Sequence, residues 1–352
     1  MENSLQSLLP LLACPHDRTG LQLTESWVCC EQGHRFPVVE NVPVLLRDDV
    51  LQTIGIAPTS LHLACLHAEG RNDDPFFVGS LGLSEDERRQ LQMEIAKKRR
   101  EIDPVVSYLV GATNGNLYQH LIGSLPDYPI PTLPMPSAPG DRLLDLGCSW
   151  GRWSIAAARK GYDPVGLDPS LGAVLAAQRL SVRLGVPFIG VVGDARYLPF
   201  KAEVFDAVYS YSVLQHFSKQ DTRNALHEIR RTLRDRGRFG IQMASAWGVR
   251  SFQLQARRRF RQPSSFEVRY WSPLELTRTF REIFGLVRMS VDCYFGLGLQ
   301  AADIRFMSPT RRYLIYVSEF LKGVAGWFRP LVYAADSLLL EGQIDARPGT
   351  RP

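Results

Sequence analysis

The residues of this chain whose types and spacing suit chemistry gather in three places. The first is the run Leu143–Trp153, LLDLGCSWGRW. Apolar residues lead into Gly147, Cys148, Ser149 and Gly151, and a helical pattern follows at once. Glycine lets the backbone turn tightly and approach a ligand with no Cβ in the way. A strand, such a turn and a helix N-terminus together offer backbone N–H groups to a nucleotide-like ligand. Asp145 stands just before the turn, and Asp168 ends the next apolar run, with Pro169 after it. A carboxylate at that second position can accept both hydroxyls of a ribose. The second place is Tyr211–His216, after a later apolar run. His216 is the candidate general base, required only if a nucleophile must first lose a proton. Its other use is to cap or pack the following helix. The third place is the N-terminal set Cys14, His16, Asp17, Cys29, Cys30 and His34, residue types that bind metal ions.

The elements that must position these residues read as follows. Strands are expected over Arg142–Leu146, Pro164–Asp168, Phe188–Val192, Phe205–Tyr209, Arg238–Met243 and Leu286–Val291, with helices over Arg152–Lys160, Leu171–Leu184, Asp221–Leu233 and Pro273–Phe284. Such alternation produces a parallel sheet covered by helices on both faces. Phe36–Leu46 reads as two short strands about a turn. Ser84 and Glu87 form a capping-box pattern, and Leu91 and Ile95 fit an amphipathic helix. Pro104 is expected to start a second helix, with Val105, Tyr108 and Leu109 facing a core. Prolines at 126, 129, 131, 134, 136 and 139 exclude helix there and favour an extended connector.

Roughly residues 105 to 295 resemble the class I S-adenosylmethionine-dependent methyltransferases, most of all the ubiquinone-methylase type (methyltransferase type 11), which places the methyltransferase domain itself over residues 141–300. Four stretches carry the resemblance: the Leu143–Trp153 turn, Asp168, Gly193-Asp194-Ala195 leading to Leu198-Pro199-Phe200, and Phe205–Phe217. The resemblance implies an α/β, Rossmann-like seven-stranded sheet with helices on both faces. It implies S-adenosylmethionine as cofactor, held by Asp145, Gly147, Cys148, Ser149, Gly151, Asp168, Pro169, Asp194, Ala195, Ser210 and Tyr211. Asp194 and the adjacent backbone would take the adenine amino group. Ser149 stands where the family's middle glycine is usual. A serine fits there if its φ is ordinary, and its hydroxyl can reach the cofactor carboxylate.

Residues 1–50 resemble a Trm112-like zinc ribbon, a β-rich module that often carries two Cys-x-x-Cys pairs for tetrahedral zinc. Here Asp17 and Gly33 stand at the second position of the two pairs. The implied ligands are Cys14, His16 or Asp17, Cys29 or Cys30, and His34, with Cys14, Cys30 and His34 as the core set. The imperfect set tips the reading of the residues towards a degenerate ribbon that folds without zinc. Between this module and the main domain lie a helical connecting region, residues 51–125, and the proline-rich linker, 126–140. Residues 301–352 are expected to form a helical extension that packs over the sheet or a dimer partner, or lies on a membrane surface.

The acceptor is less legible. No Asn/Asp-Pro-Pro-Tyr run follows the fourth strand, and no Pro-Cys nucleophile segment is evident, so exocyclic base amines and pyrimidine C5 are disfavoured. Ala244–Trp271 interleaves aromatics with arginines and is a candidate acceptor lid for an anionic, sugar-like or stacked-base substrate. The preferred reading is methyl transfer to an O or N atom of a small molecule or a glycan- or lipid-linked intermediate. The alternatives are an rRNA or tRNA methyltransferase, for which nucleic acid would be the partner, and a non-catalytic interaction module. Asp145, Asp168 and Asp194, all intact, argue against the last.

Composition sets the outer bounds. A chain of 352 residues, 45% hydrophobic and 22% charged, is an ordinary globular protein of one large domain or two. A net charge of +5 permits an anionic partner without demanding one. The cluster Arg257, Arg258, Arg259 and Arg261 reads as solvated surface. Six scattered cysteines point to a reducing compartment, hence the cytoplasm. Leu11–Cys14 has the look of a lipoprotein cleavage box, but Glu2 and Pro10 do not suit a leader. No apolar run is long enough for a transmembrane segment.

Overall fold

A computed structural model describes residues 4–71, 86, 89, 91–93, 96, 102–112, 118–121, 125–263, 266–296, 298 and 300–345. The strands are β1 (Leu21–Thr24), β2 (Trp27–Cys30), β3 (Arg35–Val39), β4 (Val42–Leu45), β5 (Arg142–Leu146), β6 (Asp163–Asp168), β7 (Ile189–Gly193), β8 (Phe205–Ser210), β9 (Leu233–Ala244), β10 (Val287–Cys293) and β11 (Ser337–Gln343). Seven of them follow Arg142, with helices Arg152–Ala158, Leu171–Leu184, Lys219–Thr232 and Pro273–Phe284 at the expected places.

The chain divides into two compact units: Met1–Leu133 with Ser137–Gly140 and Cys148–Lys201, and Pro134–Pro136 with Asp141–Gly147 and Ala202–Pro352. In the first unit the strand order is β1-β2-β3-β4-β7-β6. The N-terminal strands form antiparallel hairpins, and Glu40 and Asn41, both at positive φ, make the two-residue turn between β3 and β4. β4 then pairs parallel with β7, which pairs parallel with β6. The N-terminal module is therefore part of the same sheet as the two strands after the glycine turn. A bridge between Leu12 and Phe200, and hydrogen bonds from Ala13 N to Pro199 O (3.0 Å) and Lys201 N to Leu11 O (2.8 Å), fix it further.

In the second unit the order is β5-β8-β9-β11-β10. β5, β8 and β9 run parallel, and β11 runs antiparallel to both β9 and β10. β5 and β8 are buried along almost their whole length, as strands covered on both faces are. Helix Pro273–Phe284 starts on a capping box between Ser272 and Glu275 with Pro273 in its first turn, and buries Leu276, Phe280, Ile283 and Phe284. Phe280 and Phe284 pack on Phe239 of β9, at 6.4 and 4.2 Å between ring centroids.

Several expectations are corrected. Pro309–Ala325 is helical, but the end of the tail is not: Ser337–Gln343 is β11, inserted between β9 and β10. Its Ser-Leu-Leu-Leu start is buried on consecutive residues, which a sheet interior allows and an amphipathic surface helix does not. The β1–β2 hairpin was not read from the sequence. Val105 of helix Pro104–Ala112 is buried, whereas Tyr108 and Leu109 are half-buried. The Ser84–Glu87 capping box and Ile95 lie outside the described residues. The proline segment is free of helix where described, as expected.

Candidate functional site

In the first unit the turn after Gly147 is built around the Asp168 carboxylate. The Cys148 amide donates to Leu167 O (3.0 Å), which lays the turn across the end of β6. The Ser149 amide donates to Asp168 Oδ2 (3.0 Å) and the Ser170 amide to Oδ1 (2.9 Å). Burial pushes the Asp168 carboxyl up to about 6, and these two N–H donors oppose the shift. Ser170 caps helix Leu171–Leu184 by accepting from the Ala173 amide at 3.3 Å. Pro169 joins the two.

Gly151 has φ +86, and a Cβ there would lie 2.8 Å from Ala177 Cβ, so the helix behind the turn packs too closely for any side chain. Ser149 does not have the ordinary φ expected of a serine. It sits at φ 47, in the left-handed region that disfavours residues with a Cβ. Its hydroxyl is buried without a hydrogen-bond partner. A strained residue that holds an orphaned hydroxyl at a helix N-terminus fits a bound anionic group better than a purely structural turn.

Asp194 follows the end of β7. It caps the short 3₁₀ turn Ala195–Tyr197 and is locked to Arg196. The guanidinium contacts both carboxylate oxygens, with Nη2–Oδ2 at 2.6 Å, and the Arg196 amide donates to Oδ1 at 2.8 Å. Arg196 Nη2 also donates to Leu51 O (2.7 Å), beyond the N-terminal module. The acid that sequence reasoning reserved for adenine is thus largely committed within the chain.

In the second unit Asp145 is fully buried on β5. Gly147 has φ +77, and a Cβ would fall 2.1 Å from Val213 Cγ2, so only glycine fits. Ser210 at the end of β8 donates to Leu146 O (3.1 Å). Tyr211 Oη donates to Asp292 Oδ2 (2.9 Å), and Ser337 Oγ donates to the same oxygen (2.7 Å). Gln242 Nε2 donates to Ser337 Oγ (2.7 Å) while its Oε1 accepts from the Ser212 amide (2.7 Å). This network ties β8, β9, β10 and β11 together at one end of the sheet. Sequence reasoning found Tyr211 but missed Asp292, Ser337 and Gln242. A buried Asp in the apolar run VDCYF was the only local signal.

His216 ends the 3₁₀ turn Leu214–His216, with its ring stacked on Phe266 at 4.1 Å between centroids. Burial pushes its pKa down to about 4, so the ring is neutral at pH 7. Its Nδ1 is buried without a hydrogen-bond partner. Arg269 donates from its amide to Gln215 O (2.7 Å) and from its guanidinium to His216 O, which brings the end of the aromatic–arginine segment against the turn.

The N-terminal set resolves into Cys14, Asp17, Cys30 and His34, whose ligand atoms all lie within 4.8 Å of one another. His34 Nδ1 is 3.0 Å from Asp17 Oδ2, 3.2 Å from Cys30 Sγ and 3.6 Å from Cys14 Sγ. In a tetrahedral zinc site with bonds of about 2.0–2.3 Å, ligand atoms stand roughly 3.3–3.8 Å apart. The candidate residues occupy different positions in the fold. Alternation along β2 buries Cys30 and turns Cys29 outward. His16 stacks flat on His34, at 4.3 Å between centroids, and is not one of the four clustered residues.

Residues 143–237 match the methyltransferase domain family. The chain is 39% identical over 77 residues to a ubiquinone biosynthesis O-methyltransferase of Azorhizobium caulinodans, covering 22% of this chain and 30% of that protein. It is 33% identical over 103 residues to a demethylmenaquinone methyltransferase of Corynebacterium kroppenstedtii, covering 29% and 42%. These matches span less than half the length of the curated relatives. Among solved structures, YcgJ of Bacillus subtilis is 21% identical, covering 61% of this chain and 95% of that one with a TM-score of 0.40.

Proposed function

We propose that this chain, which carries a class I methyltransferase domain over residues 143–237, is an S-adenosylmethionine-dependent methyltransferase. The observation that carries the reading is the Ser149–Asp168 turn. It combines glycines that a Cβ would block, a buried hydroxyl with no partner, and a carboxylate oriented by two amides. S-adenosylmethionine, when bound, supplies a methyl group on a positively charged sulfur. We assign its ribose hydroxyls to Asp168, its carboxylate to Ser149 and its adenine to the Asp194–Ala195 turn, and we carry Asp145, Gly147, Ser210 and Tyr211 as cofactor contacts on the family resemblance alone. The Arg196 pair holds the adenine turn in shape.

Transfer from a sulfonium is an in-line displacement, so the protein's main work is alignment and exclusion of water. His216, neutral at pH 7, has a ring nitrogen able to take a proton from the acceptor. Its low proton affinity favours an acceptor that loses its proton readily. We assign the acceptor to an O or N atom of a small molecule or a lipid- or glycan-linked intermediate, in keeping with the quinone-methylating names of the relatives. The N-terminal module we assign as a Trm112-like zinc unit with Cys14, Asp17, Cys30 and His34 as ligands, which braces the adenine turn through β4 and Leu51. Six free thiols support a cytoplasmic location.

The test is calorimetric titration with S-adenosylhomocysteine, beside an Asp168→Ala variant. Micromolar binding by the parent, lost in the variant, is the expected outcome. No binding by a folded parent sinks the enzyme reading.

A further inference from the structure

We propose that the face formed by helices Val249–Arg257 and Pro309–Ala325 docks on an anionic lipid bilayer. Helix Pro309–Ala325 is anchored inward by Ile315, Ser318 and Ala325, with Ser318 Oγ accepting from the Tyr294 amide at 2.9 Å. At 100° per residue, positions 313, 316 and 320 share the opposite stripe. That stripe should be polar if it faced only water. Instead Tyr313, Tyr316 and Phe320 stand 68%, 59% and 70% exposed, and Trp327 just beyond the helix is 78% exposed.

Helix Val249–Arg257 repeats the pattern. Its buried residue is Ser251, while Val249 and Phe252 are 68% and 57% exposed. Phe252 meets the exposed Phe260 edge-on, at 5.6 Å between centroids, and Trp247 meets Tyr333 at 6.0 Å. The second of these contacts joins the start of one helix to the turn that follows the other. The exposed rings of the two segments are thus linked by contacts rather than scattered singly.

Charge identifies the occupant. Residues 249–261 contain no acid, and residues 309–334 contain only Glu319. Arg250, Arg257, Arg259, Arg312, Lys322 and Arg329 are all exposed. Rings that bury to headgroup depth beside cations that meet phosphate are the composition of an interfacial helix. Tyr and Trp in particular suit the boundary between hydrocarbon and water. A second copy of this chain would bring the same cations against one another, which disfavours self-association through this face. Among the described residues no helix is long and apolar enough to cross a membrane, so contact at the surface is the mode that fits.

The test is sedimentation of the full chain with vesicles of phosphatidylcholine alone or with phosphatidylglycerol added. Binding is expected with the anionic vesicles, weaker with the neutral ones, and reduced by salt. The variant Tyr316→Ser/Phe320→Ser/Trp327→Ser is expected to partition at least about tenfold less, because each buried ring contributes strongly to partitioning. Should that variant misfold, quenching of the parent's tryptophan fluorescence by brominated lipid gives the same answer, with quenching expected. Absence of binding to anionic vesicles, equal binding by a folded variant, or a dimer that the same substitutions dissolve overturns the proposal. Binding to a single-stranded RNA without binding to vesicles does so as well. The readout needs no cofactor, so its failure leaves the methyltransferase reading standing, and the reverse also holds.

Discussion

Ser149 offers the sharpest test, because two of its features oppose stability and one serves binding. Its left-handed φ of 47 costs about 1–2 kcal/mol for a residue with a Cβ. Its buried, unpartnered hydroxyl costs about 1–3 kcal/mol. Ser149→Gly removes both, offset by about 0.5–1 kcal/mol of glycine's extra chain entropy. The ligand-free variant is therefore expected to be about 1–4.5 kcal/mol more stable than the parent. Ser149→Ala keeps the strain and recovers only the hydroxyl contribution. Neither change touches the amide that donates to Asp168. A hydrogen bond to a charged group contributes about 1.5–3 kcal/mol, so both variants should bind S-adenosylhomocysteine about ten- to a hundredfold more weakly. Thermal unfolding with and without the ligand reads both effects: a higher midpoint alone, and a smaller rise on ligand addition. Variants that are less stable without ligand, or that bind as tightly as the parent, refute the assignment of this hydroxyl to the cofactor.

Other outcomes follow from the same structure. Gly147→Ala puts a Cβ 2.1 Å from Val213 at φ +77, so it should yield insoluble or unfolded protein, read by expression and circular dichroism. His216 is held near 4 when folded, against about 6.5 when unfolded, so between these values the unfolded chain binds the extra proton and stability falls on acidification. Asp168 is raised to about 6 and works oppositely: the folded state binds the extra proton, and stability rises as pH falls from about 6 towards 4. Denaturant titrations should therefore show His216→Gln gaining stability relative to the parent between pH 6.5 and 4, and a flat difference contradicts the buried neutral ring. Elemental analysis should find one zinc per chain, lost with Cys30→Ser and kept with Cys29→Ser; equal loss in both would reject the ligand set built on β2.

Much of the fold was legible because its signals are local. The alternating strands and helices from Arg142 to Phe284 depend on runs of apolar residues, on caps such as Ser170 and Ser272, and on glycines that permit particular turns. The hairpin at Glu40 and Asn41 is local in the same way. The outward turn of Cys29 against the inward turn of Cys30 was not legible in this way, because it follows from strand β2, which no local signal announced.

What the sequence determined by itself, then, is the order of elements and the residue types at each turn, including Asp145, Gly147, Gly151 and Asp168. Tertiary structure alone decided which distant residues meet. β11 joins β9 and β10 only because the chain returns from far along the sequence, and a short apolar run carries no mark of that partner. Tyr211 finds Asp292 across 81 positions, and Arg196 finds Leu51 across 145. His16 and Asp17 are equal candidates on paper; in the fold His16 stacks on His34, while Asp17 Oδ2 stands 3.0 Å from His34 Nδ1. Local periodicity constrains how each segment bends and which side it buries; it does not say which other segment covers that side.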